Sequence, residues 1–389
     1  MNSFEYYNPT KIIFGKNQLS KLPQLINEFQ AKKILLVYGG GSIEKTGLLN
    51  QIITQLSLFE IHLFKGVEAN PEYRTLMKAV EVVREKQIDF ILAVGGGSVI
   101  DGVKFISGAS YFNGDPWEVL QRTTNKIFEK ALPFGTILTL PATGSEANSG
   151  AVISRSEIKE KLAFGSALFF PKFSILDPTV VSTLPKRQIV NGIVDAYMHT
   201  LEQYLTFPSD NLLQEREAEG ILLTLIEIAQ GIIENPSDYR LASNLMYCAN
   251  HALDGNLRCG VITDWSTHAI GHELTALFGI DHARSLAIIA PRLYEIKFEN
   301  KKEKLEQYGK RIFQLSGENE EIAKKAIIKT EAFFNSLGIS TNLNDYSEDV
   351  AFAPAVIRKR FEDRAWTKLG ERQDLNPEEV ELIVQKSIF

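Results

Sequence analysis

Two short stretches carry residues of the kinds that hold metal ions. In "NGIVDAYMHTLEQY" (191–204) Asp195 and His199 stand four apart within an otherwise apolar helical pattern. That spacing puts both side chains on one helix face. In "DWSTHAIGHELTALFG" (264–279) His268 and His272 repeat the spacing, and His282 follows just past Gly279. Five of the six histidines fall between 199 and 282, while His62 lies apart in a strand-like run. One carboxylate with three imidazoles suits a borderline divalent ion, Zn²⁺ or Fe²⁺, with a position left for a substrate oxygen. Spacing leaves open which three imidazoles bind, because His251 and His272 compete with His199, His268 and His282. "HAIGHE" is not the HExxH motif, since its Glu follows the second His, and this argues against metal-assisted hydrolysis.

A second group of residues suits phosphate. "AVGGGSVIDGVKF" and "VYGGGSIEKTG" each place three glycines directly after a strand-like run. Glycines let the backbone approach a phosphate, and the helix that follows aims free N–H groups at it. Gly95, Gly96, Gly97 and Ser98, leading into Val99, Ile100 and Val103, fit this pattern. Neither turn is the common version. Ile100 occupies the third glycine position of G-x-G-x-x-G, and Glu44 breaks the P-loop pattern. The first turn (Gly39, Gly40, Gly41, Ser42) is small and neutral, with Lys45 nearby. It lacks the acid that NAD-specific sheets bring to the ribose 2′-hydroxyl. A nest with a hydroxyl and a nearby cation suits a 2′-phosphate, which predicts NADP.

These residues need elements to hold them. Runs at 32–38, 61–66, 89–96 and 135–142 are short, apolar and bounded by Gly or Pro, so they read as buried strands. Helical patterns such as 71–87 lie between them. Strand alternating with helix implies a parallel sheet covered on both faces. The pattern changes near "FSILDPTVVSTLPKRQ" (173–188). Beyond it lie helices at 210–233, 237–254, 264–277, 282–298, 302–315 and 319–336, with no strand. The expected architecture is an α/β nucleotide-binding domain over 1–182 and an all-α domain over 183–389.

The bulk numbers agree with that plan. A chain of 389 residues is long for a single core and suggests two domains. A formal net charge of −6 argues against a nucleic-acid or anionic-membrane partner. The N-terminal residues have no signal-peptide pattern, and no run of about 18 apolar residues could span a membrane. Two cysteines, Cys248 and Cys259, are too few for a disulfide framework and read as thiols in a reducing cytoplasm.

Taken together, "NPTKIIFGK", "YGGGSIEKTG", "NPEYRTLMKAV", "AVGGGSVIDGVKFI", "LTLPATGSEANSGAVISR", "GIVDAYMHTLEQYLT" and "DWSTHAIGHELTALFGIDHARSLAI" resemble the iron-containing (group III) alcohol dehydrogenases. The similarity is greatest to the branch of NADPH-dependent butanol dehydrogenases and aldehyde reductases. The resemblance covers nearly the whole chain. It implies the dehydroquinate-synthase-like architecture, with an N-terminal nucleotide domain, a C-terminal helical domain and an active site in the cleft. It implies metal ligands at Asp195, His199, His268 and His282, and an additional cleft histidine at His272 that relays a proton or orients substrate. The phosphate turn would fall on Gly96, Gly97 and Ser98, followed by Asp101. Thr139, Thr143, Asn148 and Lys161 would line the cofactor, and His251 matches no ligand. A homodimer, through the N-terminal strand region, is also implied.

The expected activity is metal-dependent hydride transfer between NADPH and an aldehyde or primary alcohol. One alternative is a dehydroquinate-synthase-like lyase. It would call for several cations near the metal, where these segments supply Arg258 and Arg284. The other is a non-catalytic nucleotide- or metal-binding protein.

Overall fold

The computed structural model describes residues 1–121 and 125–388. Among these residues eight strands form: β1 (Lys11–Phe14), β2 (Lys33–Tyr38), β3 (Glu60–Lys65), β4 (Phe90–Gly95), β5 (Phe134–Leu138), β6 (Gly150–Arg155), β7 (Glu160–Gly165) and β8 (Phe173–Leu176). Six of them make one sheet in the order β1-β8-β5-β4-β2-β3, with every pairing parallel. β6 and β7 form a separate antiparallel hairpin.

The predicted strands correspond to β2, β3, β4 and β5. β1, β8 and the hairpin escape a pattern search for physical reasons. β1 is a four-residue edge strand with one buried residue. β8 lies beside the prolines that mark the change of pattern. The hairpin carries Arg155, Glu160 and Lys161, which dilute its alternation.

The central strands are buried on both faces, as parallel strands must be. Leu35, Val37, Ile91 and Ala93 join one apolar cluster, while Ile34, Leu36, Phe90 and Leu92 join the other. This is the two-residue period of a strand. The edge strand β3, "EIHLFK", carries Glu60, His62 and Lys65, polar and charged side chains that discourage further pairing.

By contacts the described chain divides into two compact units. One comprises residues 7–185 and 235–250, and the other residues 1–6, 186–234 and 251–389. The segment 235–250 thus packs with the sheet, although its sequence reads as part of the helical half. Its Met246 joins a sheet-face cluster, and Asn250 donates to Glu146 Oε1 at 2.9 Å.

The second unit is helical. Among its described residues the β pairing recorded is one bridge, Leu369 with Leu375. Its central helix, Lys186–Tyr204, is buried at every residue from Ile189 to Tyr204. A helix buried all round has no solvated face for polar groups, so each polar side chain on it needs a partner. Two further helices matter for the site, Ser266–Phe278 and His282–Ile296. Among the described residues no helix is long and apolar enough to cross a membrane.

Candidate functional site

Three helices of the second unit bring Asp195, His199, His268 and His282 together. One potential ligand atom from each lies within 4.8 Å of all the others. Asp195 and His199 are two of the polar groups on the fully buried helix. Asp195 Oδ1 lies 3.8 Å from His199 Nδ1 and 3.7 Å from His282 Nε2. These separations are too long for hydrogen bonds. They are close to the spacing of about 3.4 Å between two ligands that share one tetrahedral ion at ~2.1 Å. The His199 and His268 rings stack with centroids 4.7 Å apart, and the His268 and His282 rings lie 5.1 Å apart.

Two features test whether a metal suits this cluster. His199 Nδ1 is buried without a hydrogen bond, an arrangement that costs free energy unless something binds that nitrogen. Burial also lowers the His199 pKa to about 4, opposed by Asp195 and assisted by His268. The ring is therefore neutral at pH 7 and its lone pair is available. The donor set of three nitrogens and one carboxylate oxygen fits a single divalent ion.

His272 sits beside the cluster, with its ring centroid 5.0 Å from that of His282 and 6.2 Å from that of His268. His251 lies elsewhere, paired with Asp254 Oδ2 at 2.6 Å. His62 pairs with Glu60.

The surrounding groups hold the ligands in place. The Glu202 carboxylate accepts the Nδ1–H of His268, and also the backbone N–H of Thr267 at 2.6 Å. This fixes the His268 tautomer and aims Nε2 at the cluster. Glu202 itself is fully buried. Beside this stretch, Lys301 Nζ donates to Asp264 Oδ2 at 2.9 Å and to Glu371 Oε1 at 3.0 Å. On the other side, Asp281 accepts from Arg187 Nε at 2.7 Å and from Asn191 Nδ2 at 2.8 Å. Asn191 Oδ1 accepts from Arg284 Nε at 3.2 Å. The residue before His282 is thus tied to the residue one turn before Asp195.

Glu202 was not among the residues picked out from sequence. The signal was there: Asp195, His199 and Glu202 follow an i, i+4, i+7 pattern, one stripe of a helix.

The glycine turns lie in the first unit. Gly96 precedes the Gly97–Ala109 helix, whose free N–H groups and dipole suit a phosphate. A Cβ at Gly97 would stand 2.3 Å from Thr143 Oγ1, so only glycine permits this approach. Ser98 Oγ donates to the Ala69 carbonyl. Thr139 N donates to Gly95 O at 3.0 Å, which seats the "TLPATGSE" segment against the turn.

A buried network shapes that segment. Asp101 accepts from Ser145 Oγ at 2.6 Å and from Val152 N at 2.8 Å. Lys104 Nζ donates to Ser145 Oγ at 2.7 Å, Asn148 Oδ1 at 3.0 Å and Gly150 O at 2.6 Å. Burial lowers the Lys104 pKa to about 8, against the pull of Asp101 and Glu146. Lys104 is a second residue that was not picked out from the sequence. Lys161 Nζ donates to Asn70 Oδ1 at 3.2 Å.

At the first turn the surroundings differ from the neutral nest expected. Gly41 has φ 101° and precedes a one-turn helix, Ser42–Lys45. Glu44 Oε1 accepts from Tyr38 Oη at 2.8 Å, and Glu44 Oε2 accepts from Lys65 Nζ at 2.7 Å. The acid sits three residues past Gly41, and a second cation, Lys65, lies against the turn. Ser42, Ile43 and Thr46 on one side, with Leu138, Thr139 and Asp177 on the other, line a cavity of about 670 Å³.

Fold and site define a class before any comparison: a parallel sheet with glycine turns for a nucleotide, and a buried carboxylate–imidazole centre for a divalent ion. Comparison with known proteins gives the family. The profile described as iron-containing alcohol dehydrogenase matches residues 9–178. The profile of the C-terminal part of the Fe-containing alcohol dehydrogenase family matches residues 189–388. The NADPH-dependent aldehyde reductase YqhD of Escherichia coli is 47% identical over 96% of this chain and 97% of its own. The probable NADH-dependent butanol dehydrogenase 1 of Bacillus subtilis is 40% identical over the full length of both. The crystal structure of E. coli YqhD superposes with a TM-score of 0.96, covering 100% of this chain and 99% of that one at 46% identity. The NADH-dependent butanol dehydrogenase A of Thermotoga maritima superposes with a TM-score of 0.95 at 34% identity, covering 100% of this chain and 99% of its own. The chain belongs to the iron-containing alcohol dehydrogenase family. Reductases and dehydrogenases of this kind do not favour the lyase alternative.

Proposed function

We propose that this protein is an NADPH-dependent aldehyde reductase that interconverts small aliphatic aldehydes and primary alcohols. Overall, aldehyde, NADPH and a proton give alcohol and NADP⁺. The observation that carries the reading is the convergence of Asp195, His199, His268 and His282 within 4.8 Å in a chain that also bears the "AVGGGSVIDG" turn. The relative in E. coli named as an NADPH-dependent aldehyde reductase supports the choice of substrate and cofactor.

Those four residues would hold one divalent ion, and the set suits Zn²⁺ and Fe²⁺ alike. When bound, such an ion supplies Lewis-acid polarisation of a substrate oxygen, and the nicotinamide supplies the hydride. The protein supplies position. Glu202 keeps Nε2 of His268 as the donor atom. His199 stays neutral at working pH, and Asp195 brings a single negative charge. His272, beside His268 and His282, relays the proton or orients the substrate. In the first unit, Gly96, Gly97 and Ser98 would take the pyrophosphate. Gly40, Gly41 and Ser42 would face the adenosine ribose, while Thr139, Thr143, Asn148 and Lys161, with Asp101 bracing them, would line the rest.

The working form is a cytoplasmic homodimer that pairs through the β1 edge. β1 has one sheet neighbour, and Ile12, Phe14 and Tyr7 near it are exposed.

The test is a cuvette with NADPH and butanal, read at the NADPH absorbance. Protein stripped by a chelator should be inactive, and reloading with Zn²⁺ or Fe²⁺ should restore NADPH consumption. Equal rates in stripped and reloaded samples would refute the mechanism.

A further inference from the structure

The turn after β2 holds a pair of opposite charges that the reading above leaves without a task. Where a sheet binds a dinucleotide, the pyrophosphate lies at the turn after one strand. The adenosine ribose 2′ position is then read at the end of the neighbouring strand. Here the pyrophosphate turn follows β4. Its neighbour is β2, with Tyr38 in register with Val94, and β3 continues on the far side, with Tyr38 opposite Lys65. The ends of β2 and β3 are therefore where the 2′ substituent would arrive.

Both charges of the pair reach this place. A methyl group built on Gly41 would lie 2.9 Å from Glu44 Oε2 and 3.2 Å from Lys65 Nζ. Glu44 is held from two sides, by Tyr38 Oη at 2.8 Å and Lys65 Nζ at 2.7 Å. The two side chains are 37% and 49% exposed, and ion pairs of this kind contribute little to stability, so the pair opens at small cost. A carboxylate accepts a hydrogen bond from a 2′-hydroxyl but repels a 2′-phosphate. An ammonium does the reverse, since a phosphate is a strong partner for it and a hydroxyl a weak one. Glu44 and Lys65 thus favour different cofactors from one position.

We propose that the Glu44–Lys65 pair reads the ribose 2′ position in both senses: Lys65 takes the 2′-phosphate of NADPH, Glu44 takes the 2′-hydroxyl of NADH, and the enzyme uses both. The proposal rests on the reductase function argued above. It assigns the choice between cofactors to two side chains rather than to the glycines of the turn. Lys45, one residue from Glu44 in sequence, takes no part.

The experiment compares kcat/KM for NADPH and NADH in the metal-loaded wild type, Lys65→Met, Glu44→Gln and Lys45→Met. Calorimetric binding of 2′,5′-ADP and 5′-AMP is measured alongside. Loss of one charged hydrogen bond is worth about tenfold or more in affinity. Lys65→Met should lower kcat/KM for NADPH by about tenfold, with NADH within about twofold, and should remove most of the preference for 2′,5′-ADP over 5′-AMP. Glu44→Gln should move the ratio the other way, raising NADPH and lowering NADH, and Lys45→Met should leave it in place. The proposal is overturned if neither Lys65→Met nor Glu44→Gln shifts the ratio, or if Lys45→Met alone does. A wild type that consumes neither cofactor overturns the reductase reading itself. A wild type that uses NADPH with an unmoved ratio in the variants overturns only the assignment of the pair.

Discussion

Glu202 stands seven residues after Asp195, two turns along the same buried helix, and its carboxylate takes the Nδ1–H of His268. A histidine bound to metal through Nε2 needs a partner at Nδ1 to fix its tautomer and raise its basicity. Glu202→Gln keeps an acceptor but loses the charge, and Glu202→Ala loses both. Affinity for Zn²⁺, measured by chelator competition, should fall roughly tenfold in the first and up to about a hundredfold in the second. The band pattern of the Co²⁺-loaded protein should shift as well. Unchanged affinity in Glu202→Ala would show that the contact serves packing alone. Why Glu202 escaped the sequence reading is instructive. Asp195 and the histidines announce a metal because their types are ligand types. A glutamate near a helix end looks like any solvated charge until its burial is known. The same holds for Lys104 and Lys65, whose roles depend on what stands opposite them.

At the scale of elements, the nucleotide turn is held by the network under it. Lys104 Nζ bonds Ser145, Asn148 and Gly150 O, while Asp101 holds Ser145 and Val152 N. These bonds tie the Gly97–Ala109 helix to the "TGSEANSGAV" segment and the start of β6. Removing the ammonium leaves three acceptors without their donor, at a cost of about 1–3 kcal/mol for each that stays buried. Lys104→Met should lower the stability of the first unit by that order, seen as an earlier transition in urea. A change under about 1 kcal/mol would mean that the loop re-forms around a neutral side chain. The interior strands β2, β4 and β5 were legible because burial on both faces makes them continuous apolar runs. β1 and β8 were not, since a four-residue strand carries too few positions to set a period. Residues 235–250 show a different limit. Their helical pattern is plain, but periodicity reports that a face is buried, not which core buries it.

For the whole molecule, the division of labour was legible where the details were not. Alternating strands and helices gave way to helices alone, and the chain folds as a sheet unit and a helical unit. The edge strands bear on assembly. β3 is guarded by Glu60, His62 and Lys65, whereas β1 presents Ile12 and Phe14, so association through β1 is the expected route. Sedimentation velocity should give twice the chain mass, and Ile12→Lys with Phe14→Lys should give the single chain. A wild type that sediments as a monomer at micromolar concentration would remove that expectation.

The burial of the Lys186–Tyr204 helix also bears on what an ion would hold together. The four clustered residues come from positions 195, 199, 268 and 282, and they meet only where three helices have docked. An ion held by all four would bind the docked helices and not any one segment, so its binding would add to the stability of that helical arrangement.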